Sequence, residues 1–256
     1  MFNELPRFSI AVLGSGPRAL ASAVCLSRHH SVTLGESGGY CTQQQLARAP
    51  LYPTEPKLDE LLGRTSGHIK FTDAFVKALT TADLVVVAEQ PEFLPTERRF
   101  DMAPVERCLQ AVARHRPRAT VILEAPAPVG YSLKASLQHR IIVIPAPLLM
   151  RTGSIAMDRA QPTRIIVGST SDKGLNYAFI AVRSCRDPNT PYLLTNASEA
   201  EAIHAFERKR VLRGRSESGE EVADYCRIRR LNEDQVLRGL QPLAYVHESK
   251  LGELMT

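Results

Sequence analysis

Phe8-Ser-Ile-Ala-Val-Leu-Gly14-Ser-Gly16-Pro-Arg-Ala19 is the stretch that decides the fold. Phe8 to Leu13 is a short apolar run, the pattern of a strand buried on both faces of a parallel sheet. It stops at Gly14-Ser15-Gly16, and Ala19 to Leu26 continues as a helix of small residues that can pack closely on a sheet. A strand, then a G-x-G-x-x-A turn, then a helix is the context that a dinucleotide-binding fingerprint requires. Gly14 permits the tight turn, Gly16 lets a pyrophosphate approach the backbone, and Ala19 lets the helix sit close to the strand. Pro17 suits the first helical turn, where its missing N–H costs nothing. With Ser15 and Arg18 it frames a helix N-terminus that offers N–H groups to an anion.

Outward from that loop, strands and helices alternate. Ser31 to Leu34 is a second strand, and Glu36 ends it about twenty residues after the loop, placed to accept from a ribose hydroxyl. A carboxylate there favours NAD over NADP, whose 2′-phosphate it repels. Leu58 to Leu62 reads as a helical turn, Asp73 to Leu79 as a helix and Leu84 to Ala88 as a strand; Ala88 and Glu89 at its end complete the expected cofactor-binding set. Met102 to His115 reads as a helix, with Val105, Leu109 and Val112 on one stripe, and Thr120 to Leu123, Ile141 to Ile144 and Arg164 to Gly168 as strands. The alternation implies right-handed crossovers and a Rossmann-type α/β parallel sheet.

Past Gly168 the character changes. Ser169 to Lys173 is a polar turn and Asp187 to Pro191 a breaker-rich loop. Ser198 to Leu212 is a helix, with Ser198 as N-cap and Glu201 closing a capping box. Gly214 to Gly219 interrupts it, and Glu220 to Arg230 and Asp234 to Leu240 resume as helices. The expectation is a Rossmann domain over residues 1–168 and a smaller, mainly helical part over 169–256.

The net charge of +5 raises the question of nucleic acid, and many basic residues fall between Arg208 and Arg238. Aromatics make up only 6% and Trp is absent, so the basic groove interleaved with aromatics that single-strand binders use is not visible. An anionic small ligand or an acidic partner accounts for the charge as well. The five cysteines are scattered, odd in number and without a C-x-x-C pair, which suits a reducing cytoplasm better than a disulfide framework or zinc site. No apolar run approaches a membrane span.

Several segments in order resemble the UDP-glucose and GDP-mannose dehydrogenases, the nucleotide-sugar 6-dehydrogenases. Ala49-Pro-Leu-Tyr-Pro-Thr-Glu-Pro-Lys-Leu-Asp-Glu-Leu-Leu62 is similar to that family's SP-(I/F)-YEPGL-x-ELL segment. Ala82-Asp-Leu-Val-Val-Val-Ala88 resembles its ADLVIIATPT strand, and Glu124-Ala-Pro-Ala-Pro-Val-Gly130 its KSTVPVG turn. Pro147-Leu-Leu-Met-Arg-Thr-Gly153, Asp158 and Pro162 to Gly168 resemble PEFLREG…D…P-x-RIVIG, and Ser198 to Ile203 opens what looks like the family's AE-x-x-K helix. The resemblance runs from about residue 8 to about residue 240. It implies NAD, a nucleotide-sugar ligand or other anionic small molecule, and a homodimer built on the central helix.

The family oxidises a sugar alcohol twice, through a cysteine thiohemiacetal, using a Thr, two Glu, a Lys and an Asn and then a Cys and an Asp in a GGxCxPKD loop. In this sequence those positions fall on Pro126, Leu148, Thr152, His204 and Arg208, and the ATPT turn becomes Ala88-Glu-Gln-Pro91. The chain ends at Thr256, where the family approaches the cysteine loop and a second Rossmann-like domain. Gly38-Gly-Tyr-Cys41 is like the start of that loop, but it follows Glu36 and lacks the Lys and Asp. Cys41 and His204 are therefore the only candidates for a rebuilt catalytic site, each with a plainer reading: a loop thiol, and a structural histidine on a helix. Three functions stay open: an NAD-dependent family enzyme, a non-catalytic dinucleotide-binding or scaffold partner in a polysaccharide pathway, or a reductase with a rebuilt site.

Overall fold

The computed structural model describes residues 7–35, 55, 57, 58, 60, 69–97, 99–214 and 216–241. Ten strands occur among them in chain order: β1 Ser9–Leu13, β2 Ser31–Gly35, β3 Ile69–Thr72, β4 Leu84–Val87, β5 Phe93–Leu94, β6 Arg99–Phe100, β7 Thr120–Leu123, β8 Ile142–Pro145, β9 Ile165–Val167 and β10 Tyr192–Leu194. The helices are α1 Gly16–Ser27, α2 Phe75–Leu79, α3 Ala103–His115, α4 Tyr131–His139, α5 Ile155–Ala160, α6 Asp172–Arg183, α7 Ala197–Arg213, α8 Gly219–Arg229 and α9 Glu233–Leu240. No helix among the described residues is long and apolar enough to cross a membrane.

Six strands form one parallel sheet in the order β3-β2-β1-β4-β7-β8. This is the doubly wound Rossmann arrangement: the order reverses between β1 and β4, and ligands of such sheets bind outside the carboxyl ends at that point. Both faces are covered, so the strands read as apolar runs rather than alternating ones. Ile10, Val12 and Val86 join the core beneath α1, while Ala11, Leu13, Val85 and Val87 face the core that takes Val105, Cys108, Leu109 and Val112 of α3. Helix α1 is buried from Arg18 to Ser27, which its run of Ala, Ser and Cys makes sterically feasible.

A two-stranded parallel sheet, β9 with β10, follows, and Tyr177, Ala178, Ile180 and Ala181 of α6 extend the α1-side core. A separate cluster around Ile203, Phe206, Val222, Cys226 and Val236 binds α7, α8 and α9 together. The short β5–β6 hairpin is antiparallel and carries an edge-on Phe93–Phe100 pair, with ring centroids 5.4 Å apart.

Two local expectations need correction. Ser198 is not the N-cap of α7: the helix starts at Ala197, after Asn196, and no side chain caps it. Glu201 cannot reach back as a capping box requires, because its carboxylate is engaged by the start of α4. The capping box lies instead at Ser218 and Glu221, opening α8. The Gly214 break is a left-handed C-cap, with φ of 67°, that ends α7 on a hydrogen bond to the Arg210 carbonyl.

Gly168 joins the two sheets. Its N–H donates to the Pro145 carbonyl at 2.7 Å, and a Cβ there would lie 2.5 Å from the Pro145 ring and 2.9 Å from the Ala197 Cα. A proline ring and a helix backbone yield poorly. Gly168→Ala is therefore expected to cost roughly 1–3 kcal/mol, as overpacking does, measured as a lowered urea midpoint; an unchanged midpoint would show that the junction can open.

Candidate functional site

The G-x-G turn lies at the switch point. Gly14 has φ of +151°, and a Cβ on it would sit 2.9 Å from the Ala88 carbonyl carbon and 3.0 Å from the Glu89 nitrogen. The turn thus presses directly on the exit of β4, and only glycine fits. Its N–H donates to Gly35 at 3.2 Å, and Ala88 N–H donates to Leu13 at 2.9 Å, so the exits of β1, β2 and β4 are stitched together. Gly16 has φ of +82°, begins α1, and leaves open space where a Cβ would be. Pro17 occupies the first turn of α1.

The side chains around this turn are distributed unevenly. Ser15 precedes the helix but makes no capping bond; its hydroxyl donates to Glu89 at 3.1 Å. Glu89 is buried, and Cys108 of α3 lies against its other oxygen. Arg18 turns away from the loop and donates to the carbonyls of Leu148 (2.9 Å) and Met150 (3.2 Å), tying α1 to the segment after β8. Burial lowers its pKa to about 10. Glu36 and Cys41 lie outside the described residues.

His204 sits on α7, 6% exposed, and bonds to the same Leu148 carbonyl that Arg18 uses. Burial, followed by the charges of Arg18 and Arg208, lowers its pKa to about 3, so the ring is neutral at ordinary pH. One turn on, the half-buried Arg208 places its Cζ 4.6 Å from the Phe100 centroid and 5.7 Å from that of Phe93. The hairpin after β4, the segment after β8 and α7 therefore meet around His204 and Arg208.

Three buried carboxylates support the surrounding loops. Glu55 accepts from the Gly153 N–H and, at 3.0 Å, from that of Ile155, fixing the start of α5. Glu201 accepts from Gly130 N–H (2.6 Å), Ser132 N–H (2.9 Å) and the Ser132 hydroxyl (2.7 Å), satisfying the start of α4. Desolvation raises the Glu201 pKa, and these donors hold the rise back. Glu124 receives Ser22, Tyr177 (2.6 Å) and Arg159 (3.4 Å), all fully buried. Glu55, Glu124 and Glu201 lie inside the segments quoted from the sequence, but nothing in their local spacing assigns them this task, because the donors they accept from are far along the chain or on another element.

No family model matches the chain. It is 23% identical over 236 residues to the UDP-glucose 6-dehydrogenase of Campylobacter jejuni, covering 90% of this chain and 59% of that protein. Among solved structures, a UDP-D-ManNAc dehydrogenase from Pyrococcus horikoshii superposes with a TM-score of 0.67 at 23% identity, covering 93% of this chain and 59% of that one. A UDP-glucose dehydrogenase from Pyrobaculum islandicum gives 0.66 at 21% identity, covering 91% and 61%. The chain resembles the nucleotide-sugar dehydrogenases. It spans about 59% of the length of the Campylobacter protein.

The positions matched in sequence to the reactive groups of the nucleotide-sugar dehydrogenases differ in their surroundings. Pro126 and Leu148 are buried, Thr152 is exposed, and His204 is held against a backbone carbonyl. A histidine with a folded pKa near 3 and an unfolded value near 6.5 makes the native state lose stability as pH falls from about 6.5 towards 3, because the unfolded chain takes up the proton first. At pH 5 the loss from this ring is about 2 kcal/mol relative to pH 7. Urea unfolding at pH 7 and pH 5 reads it: His204→Gln should flatten the dependence by about that amount. An unaltered slope would mean that the ring is not buried neutral.

Proposed function

We propose that the chain binds NAD in the crevice between the exits of β1 and β4, and that it does not carry out the family's double oxidation. The Gly14 approach to Ala88 carries the reading: it shapes a glycine turn at the switch point of a Rossmann sheet, ahead of a helix N-terminus. The likeness to UDP-glucose 6-dehydrogenases supports the cofactor and a nucleotide-sugar or similar anionic small molecule as second ligand. Against turnover stand Pro126 and Leu148, which supply no proton-transferring group, and His204, which is neutral and already engaged. Loss of one positioned acid or base typically costs ~10²–10⁴ in rate. A dinucleotide-holding scaffold or regulator in a polysaccharide pathway fits this better than an oxidase of sugars. The same resemblance extends to a homodimer on α7, whose last turn exposes Val211 and Leu212.

Calorimetric titration with NAD⁺ and NADH, each with and without UDP-glucose, tests the reading. Saturable heat with no change in nicotinamide absorbance on adding UDP-glucose is expected. Absence of heat at millimolar cofactor would sink the dinucleotide claim, and steady reduction of NAD⁺ would sink the claim of lost oxidation.

Glu89 makes a second, independent expectation. Its carboxylate lies 3.1 Å from the Ser15 hydroxyl, so a pyrophosphate on the loop meets a like charge. At an effective dielectric near 20, two unit charges ~5 Å apart repel by about 3 kcal/mol, and solvent reduces this. Glu89→Gln is expected to tighten NAD binding roughly tenfold; equal affinity would place the ligand's phosphates beyond the reach of this carboxylate.

A further inference from the structure

The guanidinium of Arg208 lies over two aromatic rings. Among the described residues no carboxylate pairs with it and none accepts a hydrogen bond from it; its contacts are the faces of Phe93 and Phe100. Rings attract the cation but take none of the five in-plane N–H donors of a guanidinium. The group is half-buried, and that burial lowers its pKa, so the surroundings work against the charge they enclose. A second guanidinium, that of Arg18, adds to the positive field; among the described residues it donates to the Leu148 and Met150 carbonyls, and the carboxylates of Glu124 and Asp158 act on it from farther off. His204, which sees both, contributes no negative charge. An arginine held over two edge-on aromatic rings, with no carboxylate partner among the described residues, makes a pre-organised fork for a planar or tetrahedral oxyanion.

We propose that Arg208 holds the oxyanion of a second ligand beside the dinucleotide crevice, a carboxylate or phosphate rather than a neutral alcohol. The inference rests on the proposed function for the nucleotide-sugar class of that ligand. It rests on Arg208 itself for the charge. A sugar alcohol offers the fork one weak acceptor, whereas a sugar acid offers two charged oxygens in matching geometry. The site would then hold an oxidised sugar nucleotide better than its alcohol precursor, as suits a protein that responds to such an acid without making it.

The test titrates the full chain with UDP-glucose, with UDP-glucuronate (the same molecule bearing a carboxylate at the alcohol position) and with UMP. Wild type, Arg208→Gln and Arg208→Lys are compared. Wild type should prefer UDP-glucuronate to UDP-glucose by about 10- to 100-fold, the range of one or two charged hydrogen bonds. Arg208→Gln should erase that preference, and Arg208→Lys, a point charge without the fork, should keep part of it. If Arg208→Gln instead weakens all three ligands alike, the group held is the phosphate, and the oxyanion site stands. Unchanged binding of all three by Arg208→Gln, or no binding of any to wild type at millimolar concentration, overturns it. Should Arg208→Gln fail to fold, Arg208→Lys carries the test, and wild-type affinity in that variant overturns the proposal. NAD titrated into the same proteins separates the two ideas. A chain that takes the acid but not NAD loses the dinucleotide reading alone, and one that takes NAD with no Arg208 dependence loses this site alone.

Discussion

The contact between Gly14 and the exit of β4 is the constraint from which the site follows. Any Cβ at residue 14 would lie within 3.0 Å of backbone at both Ala88 and Glu89, and β4 cannot withdraw because Ala88 N–H is bonded to Leu13 and β1 is paired along its length with β4. The turn is thus drawn into the seam where the strand order reverses. Helix α1 must then leave at once, which Gly16 at φ +82° allows and the small, buried residues of α1 accommodate. Pressing the loop on β4 also brings Ser15 and Glu89 together. The geometry that shapes the glycine turn has therefore placed a carboxylate against it.

The crevice is otherwise built from segments with no regular structure of their own, and buried charge holds them. Glu55 and Glu201 each supply the acceptors that the first N–H groups of a helix lack, α5 for one and α4 for the other. Glu124 and Arg159 are both 1% exposed, and Tyr177 and Ser22 complete the carboxylate's partners, linking α1, the exit of β7, α5 and α6. Burial opposes the Arg159 charge, yet Glu124 and its neighbours more than offset it, and its pKa stays above the ordinary arginine value. Such pairs add little net stability against an apolar replacement, but removal of one partner strands the other. Their effect here is to fix where loops lie.

The sheet was legible because its signals are local. Phe8–Leu13, Leu84–Ala88 and Thr120–Leu123 are apolar runs bounded by polar or glycine turns, and each is a strand within a residue of the reading. The stripe of Val105, Leu109 and Val112 is likewise the buried side of α3. Helix α4 gave no such signal: its buried positions are Ser132 and Ala135, while Leu133 and Leu137 point outward at 55% and 82% exposure, so apolar residues do not mark its packed face. Helix α6 was hidden by Gly174, whose missing side chain lets the helix start against Ser169. The capping box was assigned to Ser198 and Glu201 because spacing alone cannot tell which N-terminus a carboxylate serves. Tertiary approach decided that Glu201 serves α4.

The distribution of charge around the crevice bears most directly on what the chain can do. Glu89 lies against Ser15 of the turn, while Arg18 and Arg208 flank a neutral His204 beside the segment after β8. A site that moves a hydride from an alcohol needs a group able to take the alcohol's proton near neutral pH. His204 is far too weak a base for that, and Leu148 and Pro126 offer none. Among the described residues, the groups near the turn and near α7 carry fixed charge of opposite sign, and Arg208 is held by two aromatic rings. Fixed charge discriminates ligands by their own charge without changing them. The proposed recognition role rests on this charge pattern, set in a Rossmann frame.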